Sequence, residues 1–183
     1  MTKTIDRTKF NNTWYKPGSF LKRTVWYYVN AVFFASPWFP FYRFKSMLLR
    51  AFGAKVGRSL RIKPQVNIKY PWFLEIGNYV SIGEGAWIDN LGKVIIEDSV
   101  TISQGALLLT GNHNYSSEAF DLIVTEIYLE EGAWVGAKSV VGPGVRLGRN
   151  AVLGLGAIAV KDLMSDSIYF GNPATKVRDR LIT

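Results

Sequence analysis

The sequence has no cysteine and only one histidine among its 183 residues. Without thiols there is no disulfide framework, no thiolate metal site and no cysteine nucleophile to carry an acyl group. A single imidazole excludes a catalytic zinc held by three histidines, and no metal requirement is expected. Nucleotidyl transfer would need a glycine-rich phosphate loop and an added nucleotide-binding domain, and neither is present. Acid is scarce at the front of the chain. Residues 1–74 carry fourteen Lys/Arg against one carboxylate, Asp6, for a net +13; residues 75–183 carry eight against thirteen, for a net −5. The overall charge of +8 therefore belongs to the front segment, which points to an anionic surface or ligand there and not to nucleic acid. A secretory leader is not expected, because the first nineteen residues are polar and no small-residue cleavage site follows the apolar run. The expectation is a cytoplasmic protein, with the front segment placing it peripherally at the inner membrane face.

What the chain does contain is a repeat. Leu129 to Met164 divides into six units of six residues: LEEGAW, VGAKSV, VGPGVR, LGRNAV, LGLGAI and AVKDLM. Each begins with an aliphatic residue, four have glycine second, and the fifth position is small or branched except at Leu163. A period of six suits neither a helix nor a simple alternating strand; it suits a short strand followed by a tight corner. Three such sides make a triangular coil, and coils stacked about 4.8 Å apart bury one aliphatic column per side. The same columns extend backwards through Val56, Ile62, Ile68, then Ile76, Ile82, Ile88, then Ile96, Ile102, Leu108, with slips of two residues at Tyr70–Phe73 and Leu91–Val94. About five coils result, spanning residues 56–164. The repeat fails once, over the seventeen residues Thr110–Glu126 (TGNHNYSSEAFDLIVTE), and such an excursion from a regular solenoid is where function is expected. Residues 165–183 read as an extended turn and a short basic tail.

Residues 1–55 form a separate aromatic and basic segment with fifteen of the 26 aromatic residues. Residues 1–19 read as irregular and Phe20–Phe34 as a helix, broken by Pro37 and Pro40. Phe41–Phe52 reads as an amphipathic helix with Phe41, Phe44, Leu48 and Phe52 on one side and Arg43, Lys45 and Arg50 elsewhere. No charge occurs from Thr24 to Tyr42, but two prolines and Asn30 argue against a continuous span. Two readings stay open: the helices cap the first coil, or they cap it and also rest on an anionic membrane.

The excursion holds the lone histidine, His113, within Gly111-Asn112-His113-Asn114-Tyr115. A histidine in a polar loop is often merely exposed, yet imidazole, titrating near about 6.5, suits general-base work at neutral pH. The hexads resemble those of hexapeptide-repeat proteins, which implies a left-handed parallel β-helix. ISQGALLLTGNHNY, its loop and EEGAWVGAKSVVGPGVRLG, with the GNPA tail, resemble the acetyltransferase branch of that family. The nearest are the polysaccharide-biosynthesis O-acetyltransferases of the colanic-acid type. That resemblance implies an acetyl-CoA co-substrate, an acceptor that is a sugar or glycan hydroxyl, conceivably lipid-linked, a homotrimer with sites between neighbouring β-helices, and His113 as the base. It also implies that Trp134, Gly136 and Ala137 lie beside the thioester, Leu155, Gly156, Ala157 and Lys161 along the pantetheine arm, and Arg178 near the nucleotide phosphates. Val160 departs from the pattern, standing where many relatives carry threonine. Asp89, Asn90, Ser103, Gln104 and Asn112 are candidates for the acceptor site. Glu118, Asp121 or a backbone carbonyl could orient the imidazole. An N-acetyltransferase acting on an amino sugar and a non-catalytic membrane-docking scaffold remain as rival functions.

Overall fold

The computed structural model describes residues 3–183. Strands of two or three residues wind into a three-sided prism. The first face stacks Lys55–Val56, Leu74–Ile76, Val94–Ile96, Ile127–Leu129 and Arg146–Leu147 in parallel. The second face stacks Arg61–Ile62, Ser81–Ile82, Thr101–Ile102, Trp134–Val135 and Val152–Leu153, and the third runs from Asn67–Ile68 through Trp87–Asp89, Leu107–Leu109 and Val140–Val141 to Ile158–Ala159. Each aliphatic column falls in register: Ile62 pairs with Ile82 and Ile82 with Ile102, while Ile68 pairs with Ile88 and Ile88 with Leu108. Full burial of each such side chain contributes about 1.5–3 kcal/mol, but only when a coil lies above and below it. Backbone bonds run from coil to coil, as from Arg61 N–H to the Val80 carbonyl at 2.9 Å and from Gly83 N–H to that of Ile102 at 2.7 Å. Where glycine holds the second hexad position, as at Gly136, Gly148 and Gly154, the corner leaves no room for a side chain. A Cβ on Gly136 would lie 2.6 Å from the Leu153 carbonyl oxygen.

Five coils are complete and a sixth is begun. Leu163, the exception to the small-residue column, bridges Leu147 and so occupies the inward position of the first face two residues early. The chain beyond Met164 continues the prism and is not a loose tail. Ser167–Phe170 joins the second face beside Val152–Leu153 with Tyr169 buried, and Thr175–Asp179 folds back on it antiparallel. Arg180 ties this hairpin down, donating from Nη1 to the carbonyls of Gly132 and Asn150 at 3.1 and 3.0 Å.

The front segment closes the opposite end. Helix α1 (Phe20–Val29), N-capped by Ser19, continues as a π-helical turn over Asn30–Phe34; helix α2 covers Tyr42–Ala51. A first coil has no preceding coil to pair with, and these elements supply its partners. Trp26 Nε1 donates to the Ile68 carbonyl at 2.8 Å, and Asn30 Oδ1 accepts the Ile68 N–H at 3.2 Å. Arg50 reaches the carbonyls of Val56 and Gly57.

Helix α2 only partly follows the default in which an amphipathic helix buries its apolar side: Leu48 and Phe52 pack on the core, but Phe41 and Phe44 do not. Its buried residues are Lys45, Ser46 and Leu49, whereas Phe41 is 63% exposed and Met47 52%. The reason is the polar edge beneath: Lys45 Nζ donates to the Lys63 carbonyl at 2.9 Å and lies 5.7 Å from the Phe34 ring centroid. Burial lowers the Lys45 ammonium to about 8. Below that pH the group is charged in both folded and unfolded chains, and the folded state bears the full burial cost. From about 8 up to the unfolded value the unfolded chain binds more protons, so this group's contribution to stability rises with pH. In thermal melts across this range, the wild type is expected to gain on Lys45→Met as pH is raised. A difference independent of pH would contradict the buried ammonium.

Candidate active site

The excursion is rooted at the corner between the third and first faces, where Lys69–Tyr70, Asp89–Asn90 and Leu109–Thr110 stack in successive coils. Thr110 is fully buried and its Oγ1 accepts from Gly92 N–H at 2.9 Å and donates to the Asp89 carbonyl at 3.1 Å. From that anchor Gly111–His113 leaves the prism as one strand of a hairpin with Leu122–Val124, His113 opposite Leu122.

The His113 ring is held on two sides. It stacks on Phe120, centroids 4.4 Å apart and planes 9° from parallel, and Nδ1 lies 3.0 Å from the Phe120 carbonyl oxygen. A carbonyl can only accept, so in the neutral ring Nδ1 carries the proton and Nε2 presents a lone pair. Of the three candidate orienting groups, the backbone carbonyl takes the position. Glu118 is engaged by Lys9 Nζ at 2.7 Å, and Asp121 by the Ser117 hydroxyl at 2.9 Å. Phe120 reaches its place through a left-handed backbone, φ +54°.

The sequence gives no sign that residues 6–10 fold over this loop. Asp6 N–H donates to the Glu118 carbonyl at 2.8 Å, and the Arg7 guanidinium lies over the rings of Phe10 and Phe120 at 5.3 and 5.5 Å. Phe10 sits 6.0 Å from the imidazole. No periodicity marks these residues, because each acts through one contact across the fold.

Asp89 shares the His113 corner and pairs with Lys69 at 2.8 Å. Asn112 is on the same hairpin, its Oδ1 accepting the His113 N–H at 2.8 Å. Asn90 is corrected: it is fully buried, and its amide spans the Tyr70 N–H and carbonyl at 3.0 and 2.7 Å, so it builds the corner and faces no ligand. Ser103 and Gln104 lie at the other end of the third face, with the strand Leu107–Leu109 between them and the His113 corner. There Ser103 Oγ accepts from the half-exposed Trp134 indole at 2.8 Å. Also missed was a cleft of about 630 Å³ between α1 and the third face, lined in part by Arg23, Lys69, Tyr70 and Trp87, in the two coils preceding the loop root.

The residues assigned to the co-substrate divide similarly. Gln104, Ala137 and Gly156 stack along the corner between the second and third faces, linked by Lys138 N–H to the Gln104 carbonyl at 2.8 Å and Gly156 N–H to that of Ala137 at 2.9 Å. Leu155 is exposed there, and Gly156, at φ +66°, has nothing within 4 Å of where a Cβ would stand. Two assignments change. Gly136 is required by coil stacking, and Ala157 is fully buried with no surface to offer a ligand. Lys161 and Arg178 are exposed, the latter on the terminal hairpin.

No protein-family model matches the chain. It is 36% identical over 171 residues, 92% of this chain and 93% of the relative, to the putative colanic acid biosynthesis acetyltransferase WcaF of Escherichia coli (strain K12). It is 27% identical over 137 residues to the galactoside O-acetyltransferase of Lactococcus lactis, covering 69% of this chain and 63% of that one. In fold it matches a hexapeptide-repeat acetyltransferase of Vibrio cholerae solved with acetyl coenzyme A, at TM-score 0.78 and 19% identity over 88% of each chain. The architecture is thus the left-handed parallel β-helix, with a histidine-bearing excursion. With WcaF matched over nearly its whole length, the chain belongs to the hexapeptide-repeat acetyltransferase family and is an acyltransferase.

Because the chain has a single histidine, its ring is directly readable by two-dimensional nitrogen–proton NMR. Above the titration range the expected pattern is the Nδ1-protonated tautomer; protonation at Nε2 would break the Phe120 tether.

Proposed function

We propose that the protein transfers an acetyl group from acetyl-CoA to a sugar hydroxyl in polysaccharide or glycolipid biosynthesis, with His113 as general base. The observation that carries this reading is the Nδ1–Phe120 carbonyl bond, which leaves Nε2 as an aimed proton acceptor. Nε2 takes the hydroxyl proton as that oxygen bonds to the thioester carbonyl carbon. The tetrahedral oxyanion is held by hydrogen-bond donors, backbone N–H groups at a coil corner. Collapse breaks the carbon–sulfur bond, and the imidazolium returns its proton to the departing thiolate. The acetyl group passes directly to the acceptor, and the chain contains no thiol to hold it on the way.

The same reading calls for more than one copy. Trp134, Ala137, Leu155 and Gly156 offer an open edge at one end of the third face, while His113 stands at the other. A thioester lying on that edge meets an imidazole only if a neighbouring prism brings its own loop there, as in a trimer closed around a threefold axis. Asp89 and the cleft beside Lys69 and Trp87 then lie on the acceptor side.

In steady-state assays of CoA release with a panel of sugar acceptors, His113→Ala is expected to lower kcat by about 10²–10⁴-fold with KM for acetyl-CoA little changed. Full activity in the variant would remove the base from the mechanism. No acceptor-dependent CoA release from the unmutated enzyme would favour a scaffold.

A further inference from the structure

The seat of α2, which buries Leu49 and packs Leu48 and Phe52 on the core, leaves Phe41, Phe44 and Met47 outside it. Phe41, Phe44 and Met47 recur at three-residue spacing along its outer side, and Trp38, just before it, is 88% exposed. Phe33, Phe39, Phe41 and Phe44 pack ring against ring, with centroids 5.0–5.4 Å apart, so this surface is a rigid aromatic plate. Its rim is cationic. Arg43, Arg61 and Lys63 are exposed, and none is among the ion pairs of the described residues. Arg61 and Lys63 line a hollow of about 290 Å³ with Pro40 and Tyr42, room enough for a phosphate headgroup.

We propose that this face of the cap docks on an anionic lipid bilayer, the aromatic plate entering the headgroup boundary and the cationic rim meeting lipid phosphates. Charge decides between the possible occupants. A second copy would set Arg43, Arg61 and Lys63 against their own kind, whereas anionic lipid complements them at about 1 kcal/mol per cation near the surface. The contact is peripheral: no helix among the described residues is long and apolar enough to cross a membrane. Phe20–Phe34 measures roughly 22 Å at 1.5 Å per residue, short of the ~30 Å hydrocarbon core. In purpose the proposal rests on the catalytic reading, because it brings the enzyme to acceptors carried on lipid; in evidence it stands on this face alone.

The test is flotation of the full-length protein with phosphatidylcholine vesicles, with and without phosphatidylglycerol, at low and high salt. Binding is expected on the anionic vesicles at low salt, weaker by about tenfold on neutral vesicles or in high salt. Trp38→Ala with Phe41→Ser, and separately Arg61→Gln with Lys63→Gln, are each expected to weaken binding by about tenfold. Both sets are exposed, so melting temperature, and turnover with a water-soluble acceptor, should hold. Loss of that turnover in the unmutated enzyme would strike the catalytic reading and leave this one standing. Absence of binding to anionic vesicles, or binding indifferent to both variant pairs, overturns the proposal. So does a smaller native mass for the Trp38→Ala, Phe41→Ser variant, which would assign the face to a second copy.

Discussion

A parallel coil must find partners for the backbone groups at its open ends, and everything else in this molecule depends on how that is done. Within the stack each coil serves the next, and Ile82 and Ile102 are dry only because strands lie on both sides of them. At the first coil there is no predecessor. Trp26, Asn30, Lys45 and Arg50 stand in for it by donating to, or accepting from, the exposed edge. A polar edge demands polar side chains from the helices that cover it, and Lys45 of α2 meets that demand beside Leu49. An open edge would otherwise invite pairing with another chain. At the far end the hairpin Ser167–Asp179 does the same work with backbone, and Arg180 pins it.

The rigidity of the stack is what gives a long loop a fixed starting direction. Thr110 is buried at the corner and bonded both to the coil before it and to the bend at Gly92, so the hairpin leaves the prism at a set angle. Residues 6–10 then hold the hairpin from outside, through Asp6, Lys9 and the Arg7 guanidinium. The front segment thus acts at two places, closing the first coil with its helices and bracing the histidine loop with its leader. The proposed role of His113 as base calls for both supports, because misplacement of a catalytic group by about 1 Å can cost 10²-fold in rate.

The prism was legible in the residues because its signal is periodic and redundant: an error at one hexad is corrected by the next. Even Leu163, which broke the pattern, broke it for a structural reason, the shortened last turn. The lone histidine stood out by its rarity and by sitting where the period failed. What the sequence did not disclose has no period. Nothing about Phe120 marks its carbonyl as the imidazole's partner, and nothing about Arg7 and Phe10 places them against a loop more than a hundred residues away. Asn90 looked like a ligand residue because it is polar and lies at an insertion; a buried amide that bridges a corner has the same composition. Lys45 misled in the opposite direction, since amphipathic patterning assumes an apolar floor and here the floor is a row of backbone groups.

The choice of a carbonyl to orient His113 bears on the chemistry. A carboxylate at Nδ1 would fix the same tautomer but would also place a full negative charge beside the imidazolium that the proposed mechanism forms. Both nearby carboxylates are turned to other partners, Glu118 to Lys9 and Asp121 to Ser117. With the Phe120 carbonyl, the ring is aimed by a dipole and a stacked face. Acyl transfer from a thioester needs the proton twice, first removed from a hydroxyl and then returned to a thiolate. A base that binds the proton too tightly helps the first step and hinders the second. Under the mechanism proposed above, neutral tethering suits a base that must give back what it takes, in a chain that has no other imidazole to share the task.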